Sequence, residues 1–442
     1  MEIKGKYITA TVHTDNIEDA AISQIRDIVD SKAFEGQTVH YMPDVHASLN
    51  STVGFTATLG DFINPLLIGG DAGCTVSHLI LEKHLPVELY AEFEHRVRQA
   101  VPTGVDIQES PVIDEREFRK FLTTEFNRLR QQWPEHLSGL PVQVTEEWIS
   151  DVLRRINMQE GIFYKSLGTL GSGNHMLEYG ESSDGTHSGF TVHCGSRNFG
   201  QKICKYWTTI AQRGPEKGEV KQLRVKFKEI WRSEHGKSKD GYDAALQEFI
   251  KKETSGTQIE GYLTGDNMDA YLCDLAFGQL YARYNHMTIH RLVSAIFAKY
   301  GIGVKETIMC PHNYIDMRDH ILRKGAIAAY KDEKVIIPFN MRDGVAICTG
   351  KSNPDWNFSG PHGAGRSMSR AQAKKRLSMD EYKASMDGVF STSICQGTLD
   401  ESPMAYKPTD EIKSLITPTV DILYMLPSKI NFKAFNNTEN GD

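Results

Sequence analysis

The chain predicts a mixed fold of α-helices and β-strands, and three observations carry that expectation. Short strand-like runs alternate with segments of helical periodicity, no internal repeat or low-complexity linker interrupts them, and 442 residues that are 40% hydrophobic can bury a large core. Length alone would divide such a chain into roughly two to four domains.

The elements follow in order. The opening MEIKGKYITATVH alternates polar and apolar residues as a strand does and lacks the pattern of a signal peptide. Apolar residues then recur at helical spacing in NIEDAAISQIRDIV (16–29), before the strand-like FTATLG and TVSHLILE. Helices are expected over EREFRKFLTTEFNRLRQQW (115–133), over the long stretch from DAYLCDL to FAKY (269–300) and over SRAQAKKRLSMDEYKASM (369–386). Strands are expected over FTVHCGS, KVIIPF and VAICTG, and the polar tail NNTENGD should fray. The longest apolar runs, such as DILYMLP, are far too short to span a bilayer, so a soluble, cytoplasmic protein is expected.

Composition narrows the function classes. Net charge is −7 and the isoelectric point about 6.2, so no global field draws the chain to nucleic acid or to an anionic membrane. One segment departs from this balance: residues 213–239 hold nine Lys or Arg against four Glu, with Lys217, Lys221, Arg224 and Lys228 on one helical stripe beside Val220, Leu223, Phe227 and Trp231. A solvated amphipathic helix is the commoner meaning of that pattern. The seven cysteines (74, 194, 204, 273, 310, 348 and 395) are odd in number and form no C-x-x-C pair, which points to reduced thiols available for metal binding or chemistry.

Four turns then carry metal-capable side chains. LIGGDAGC (67–74) sets an aspartate and a cysteine three apart behind two glycines, while GTLGSGNHMLE (168–178), TVHCGSRNFG (191–200) and CPHNYID (310–316) each place a histidine in a glycine, serine or asparagine turn. A single histidine at a strand end is usually structural. Three of them with an Asp-x-x-Cys make a ligand set for a borderline transition metal, and a thiolate can bridge two ions. The stretch PHGAGRSMSRAQAKK (361–375) adds a second chemistry: Gly363 and Gly365 admit a ligand close to the backbone, Arg366 and Arg370 suit phosphate oxygens, and His362 suits attack on phosphorus. By contrast GVAICTGKS (344–352) is no P-loop, because five residues separate its glycines where four are needed.

In this order MPDVH, GGDAGC, GSGNH, HCGSR, HN, RKGA, HGAGR with MSR, and DESPMAYK resemble the RtcB family of RNA ligases, over residues 42–407. The resemblance implies an α+β fold: one large catalytic domain over 1–435, with β-sheets lining a deep metal-containing cleft, helices packed outside, the basic segment 213–239 within it and a disordered tail over 436–442. It implies joining of an RNA 3'-phosphate or 2',3'-cyclic phosphate end to a 5'-hydroxyl end with GTP and two manganese ions, in RNA repair or tRNA splicing. A monomer, with an archease-like helper as a possible partner, goes with that reading.

Residue by residue, the resemblance implies that Cys74 bridges two metals, with Asp71 and His175 completing one site and His193 and His312 the other. His362 would accept GMP, and Asp44 would also belong to the catalytic set. Glu178 would read the guanine edge, Tyr406 would stack on the base, and Asn174, Arg197, Lys324 and Arg366 would bind phosphates. Gly363, Ala364 and Gly365 would border the nucleotide, and Lys433 would stand for the family's C-terminal lysine. The chain also departs from the pattern. Val345 takes the place of an expected serine, HASLNSTVG stands where a glycine-rich run is usual, and Thr75 replaces a glycine, so a divergent member is expected. Two rivals use the same ligands: a two-metal phosphodiesterase or phosphatase acting on RNA ends, and an RNA-end sensor without catalysis.

Overall fold

Two large sheets frame the protein in the computed structural model, which describes residues 1–49, 51–212, 217–235, 241–254 and 259–434. The six-stranded sheet runs Glu2–Lys4, Thr9–Val12, Val39–His46, Val53–Thr58, Ile321–Lys324, Asn313–Asp316. The five-stranded sheet runs Ser428–Phe432, Met176–Glu181, Ser188–Cys194, Thr75–Leu81, Val304–Pro311. Each sheet therefore joins strands far apart in the chain. A three-stranded sheet (Lys334–Asn340, Gly344–Gly350, Val420–Leu426) and a ribbon of Ala326–Ala328 with Ser359–Pro361 complete the β-structure among the described residues.

Register in the five-stranded sheet decides where the ligand candidates go. Thr75 lies opposite Cys194 on one side and Pro311 on the other, and Met176 lies opposite His193, all in antiparallel pairs. Cys74, His175, His193 and His312 consequently reach the same end of the sheet. A slip of one residue would turn each side chain to the other face, so the buried apolar residues of these strands (Val76, Leu79, Phe190, Val192) lock the site's register as well as the core.

The helix Gly265–Lys299 backs that sheet. It packs against Thr75–Leu81 and Ser188–Cys194, and Tyr90–Ala100, Glu115–Gln132 and Arg197–Ala211 pack onto it in turn. Leu272, Phe277, Tyr281, Ile289, Val293 and Phe297 are buried on several of its sides, as suits a helix enclosed by other elements.

The sequence places the helices Asp19–Val29, Glu115–Gln132 and Gly265–Lys299 to within a few residues. It fails at 369–386, where one expected helix is two, Arg370–Arg376 and Met379–Ser385. Each begins with a capping box, Ser369 with Gln372 and Ser378 with Glu381, and the second box stops the first helix because Leu377 turns extended to enter it. The P-loop lookalike is the strand Gly344–Gly350, paired on both edges.

In the basic segment, Lys217–His235 pairs with Tyr242–Thr254, and Phe227, Trp231 and Leu246 form a small core between them. Arg224 and Lys228 are exposed. The side chains of Lys217, Val220 and Lys221, residues 213–216 and 236–240, and the tail 436–442 lie outside the described residues. No helix among the described residues is long and apolar enough to cross a membrane.

Gly73 is where the turn carrying Cys74 touches the long helix. Its φ is +74°, and a Cβ there would stand 2.7 Å from the Cα of Gln279. Gly73→Ala should therefore cost about 2 to 4 kcal/mol, combining left-handed backbone strain with overpacking, and lower the melting temperature. A parent-like melt would show that the turn can move off the helix.

Candidate active site

The five expected metal ligands converge. Cys74 Sγ stands 3.6 Å from His175 Nε2 and 3.4 Å from His193 Nε2. His193 Nε2 is 3.3 Å from His312 Nε2, and His175 Nε2 is 3.0 Å from Asp71 Oδ2. The order is Asp71, His175, Cys74, His193, His312, with the sulfur in the middle. His175 donates its Nδ1 hydrogen to the Leu170 carbonyl at 2.9 Å, which leaves the Nε2 lone pair aimed into the cluster.

Electrostatics suit a cation. Burial, then the Asp71 carboxylate, pushes the Cys74 thiol well above its ordinary range. Burial and the neighbouring imidazoles hold His193 and His312 far below theirs, so both rings are neutral lone-pair donors. Burial alone would raise the Asp71 carboxyl, but His175 beside it holds it below the usual carboxylate range. A thiol, three imidazoles and a carboxylate are a donor set for a divalent transition metal, and Cys74, His175 and His193 have ligand atoms within 4.8 Å of one another. Positive charge among them would ionise the thiol and offset its burial.

His362 lies next to this cluster, its ring centroid 4.8 Å from that of His312. Its Nδ1 donates to Asp44 Oδ2 at 2.6 Å, and Asp44 is fully buried. That bond orients the ring and leaves the Nε2 lone pair for attack, the arrangement an imidazole nucleophile requires. Gly365 makes the approach possible: its φ is +74°, and a Cβ would come within 2.4 Å of the Asp44 carbonyl oxygen. Lys407 fixes the same strand from behind, its ammonium donating to the carbonyls of Asn16, Pro43 and Val45 at 2.9–3.1 Å.

A cleft of 470 Å³ opens over His362, walled by Asn174, Met176, His193, residues 338–341, Gly363, Ala364, Gly365, Arg366, Arg370, Tyr406 and Lys433. A larger cavity of 640 Å³ behind Gly73 and Thr75 touches none of the expected site residues. Lys433, weakly matched in sequence, lies on the cleft wall with its ammonium 2.8 Å from Glu401 and 3.3 Å from the Asn174 carbonyl.

Arg197 and Lys324 do not line this cleft. Arg197 donates to Thr169 Oγ1 and the Gly104 carbonyl, and a Cβ at Gly171 would collide with both Arg197 and His175, which puts the guanidinium at the Asp71–His175 end. Lys324 donates to the Leu66 carbonyl beside Gly69, and burial lowers its ammonium to about 8. Glu178 lies two residues along the same strand face from Met176, buried beyond the cleft wall and accepting from Asn431 at 2.6 Å. Burial pushes its carboxyl up to about 8. Val345 is buried in the core of the three-stranded sheet, and residues 338–341 form the wall instead.

The sequence passed over Glu401. This buried carboxylate accepts from Tyr406 Oη at 2.7 Å, from Lys433 and from both Arg366 and Arg370. Burial would raise it, but Lys433, Arg370 and Arg366 hold it at about 2. Its only signal was its place in DESPMAYK. His46, in MPDVH, was also missed: it lines the cleft, bonds the Asp44 carbonyl and is lowered to about 4 by burial.

Comparison with known proteins agrees with the geometry. Residues 24–428 match the family model described as tRNA-splicing ligase RtcB. The chain is 28% identical to an RNA-splicing ligase RtcB of Escherichia coli K12 over 87% of each chain. It is 29% identical to the RNA-splicing ligase RtcB1 of another Escherichia coli strain, again over 87% of each. Against a tRNA-splicing ligase RtcB of Archaeoglobus fulgidus it is 24% identical, over 90% of this chain and 88% of that one.

The central place of Cys74 sets an expectation for metal content. Cys74→Ala should lose ions at both ends of the cluster, whereas His175→Ala and His312→Ala should each lose one, counted by elemental analysis of the purified variants. Full metal content in Cys74→Ala would exclude a bridging role for the sulfur.

Proposed function

The chain belongs to the RtcB family of RNA ligases, and on that premise we propose that it joins an RNA 3'-phosphate or 2',3'-cyclic phosphate end to a 5'-hydroxyl end. GTP is the proposed co-substrate and a pair of manganese ions the proposed metals. Bound between Asp71, His175, Cys74, His193 and His312, the ions would neutralise phosphate charge and polarise the phosphorus under attack. The observation that carries the reading is the Asp44–His362 pair beside the metal cluster.

Asp44 holds the proton on Nδ1 of His362, so Nε2 attacks the α-phosphorus of GTP and pyrophosphate departs with the bonding pair. Arg366 and Asn174 orient the nucleotide phosphates, and Arg197 and Lys324 hold the RNA phosphate at the metal end. Tyr406 stacks on the base. A cyclic end is first opened by water to a 3'-phosphate and a 2'-hydroxyl; the guanylate then passes from Nε2 to the RNA 3'-phosphate, and the 5'-hydroxyl displaces GMP from it. A phosphodiesterase or phosphatase would need no such carrier, and a sensor would need no nucleophile. The source RNA, in repair or in tRNA splicing, is the proposed setting.

The test is direct. α-Labelled GTP with manganese should leave an acid-labile, alkali-stable adduct on the protein, absent in His362→Ala. That variant should still join an RNA already guanylated at its 3'-phosphate. An adduct retained in His362→Ala would overturn the assignment of the nucleophile.

Base selection is proposed for Glu178. Guanine offers donors at N1 and N2 that a carboxylate accepts together, whereas adenine offers a lone pair at N1. Above pH 8, where Glu178 is ionised, leaving the carboxylate unpaired should cost about 1 to 3 kcal/mol, so GTP should outcompete ATP roughly ten- to a hundredfold there. With its pKa raised to about 8, Glu178 holds its proton at pH 7, and guanine donors favour the ionised form. Binding therefore releases a proton, and GTP affinity rises as pH approaches 8. Titrations from pH 6.5 to 8 should show this rise in the parent and its absence in Glu178→Gln. An identical slope in both would remove Glu178 as the reader.

A further inference from the structure

The helix Gly265–Lys299 is buried along most of its length, yet it carries two carboxamides that bond neighbouring turns and a strand rather than its own backbone. Asn285, fully buried, uses its side chain completely. Its Oδ1 accepts from the backbone N–H of Gly168 at 2.7 Å and of Thr169 at 3.3 Å. Its Nδ2 donates to the carbonyls of Thr169 at 3.1 Å and Gly195 at 3.2 Å. One side chain thus ties the turn before His175 to the turn after His193.

Both bonded turns lead to the same end of the metal cluster. Next to Thr169, the Leu170 carbonyl accepts the Nδ1 hydrogen of His175 at 2.9 Å and fixes that ring. Next to Gly195, the Ser196 N–H donates to Asp71 Oδ1 at 3.1 Å. Gly195 itself lies against the Asp71 carboxylate, close enough that a Cβ would stand 2.0 Å from Oδ1. Asn285 therefore sits one step behind the orienting contacts of Asp71 and of His175. Gln279, on the same helix, serves the other end: its Oε1 accepts from Ile315 N–H at 3.0 Å and its Nε2 donates to the Ile315 carbonyl at 3.3 Å, on the strand that follows His312.

We propose that Asn285 is a positioning residue for the Asp71–His175 arm of the metal site, setting that arm's affinity without governing the His193–His312 arm. This inference rests on the two-ion reading of the cluster. Groups that orient metal ligands typically contribute about 10- to 100-fold to affinity. Asn285→Asp keeps the acceptor for Gly168 and Thr169 but gives up the amide donor to the carbonyls of Thr169 and Gly195.

Cobalt(II) is the probe, titrated into the metal-free full chain and followed by its ligand-field and thiolate charge-transfer absorption. The parent should take up two ions. Asn285→Asp should bind one ion as the parent does and the other about 10- to 100-fold more weakly. Its spectrum at one equivalent should match that of His175→Ala and not that of His312→Ala. Gln279→Ala should spare the Asp71–His175 arm. Circular dichroism checks the fold, and Asn285→Ser, which leaves space for a water on the same backbone groups, makes the comparison if aspartate unfolds the chain. Equal weakening of both ions, a His312→Ala-like spectrum, or parent-like binding in a folded Asn285 variant would overturn the proposal. A parent that binds a single ion would instead overturn the two-ion reading, and the inference with it.

Discussion

A thiol, three imidazoles and a carboxylate crowd the rim of the five-stranded sheet, each ligand atom 3.0–3.6 Å from the next. Without a cation this congregation is unfavourable. The Cys74 thiol and the His193 and His312 imidazoles are buried and neutral, and their polar atoms crowd one another. Much of the surrounding structure serves to enforce it. Antiparallel register brings the strand ends together, the left-handed backbone of Gly73 lets the Cys74 turn lie on the long helix, and apolar residues beneath keep the sheet from slipping.

The cleft over His362 solves a different electrostatic problem. Arg366, Arg370 and Lys433 would repel one another and sample many rotamers if left to solvent. Glu401 gathers all three, together with the Tyr406 hydroxyl, so a phosphate meets donors already in place. An anion at the heart of a cleft lined by cations is therefore an organising charge. Asp44 has the same relation to His362, and Lys407 to the strand that bears Asp44.

These two regions meet at the His312–His362 contact. The cleft proposed to receive a nucleotide and the cluster suited to metals thus share a wall, and His362 stands on it. His193 belongs to both, since it lines the cleft and touches Cys74. Activation of a phosphorus and attack upon it can proceed in one enclosure, which accounts for the enclosure's being built from segments spread over most of the chain.

The sequence by itself determined the mixed α and β character, three of the four helices it predicted, and the residue types of the site. Glycine turns, histidines and the Asp-x-x-Cys are local features whose chemistry shows within a few residues. It misjudged 369–386 because helical periodicity continues through Leu377 while the Ser378 capping box, a competing local signal, ends the first helix. Tertiary structure alone decided the partnerships. Asp44 and His362 are 318 positions apart, and Glu178 and Asn431 are 253 apart. Glu401 and Asn285 owe their roles to groups brought beside them by folding; apart from the place of Glu401 in DESPMAYK, nothing in the sequence distinguishes them from an ordinary surface acid or helix amide. A side chain's type is written in the chain, but its field and its hydrogen-bond partners belong to whatever the sheet register and the buried helix place next to it.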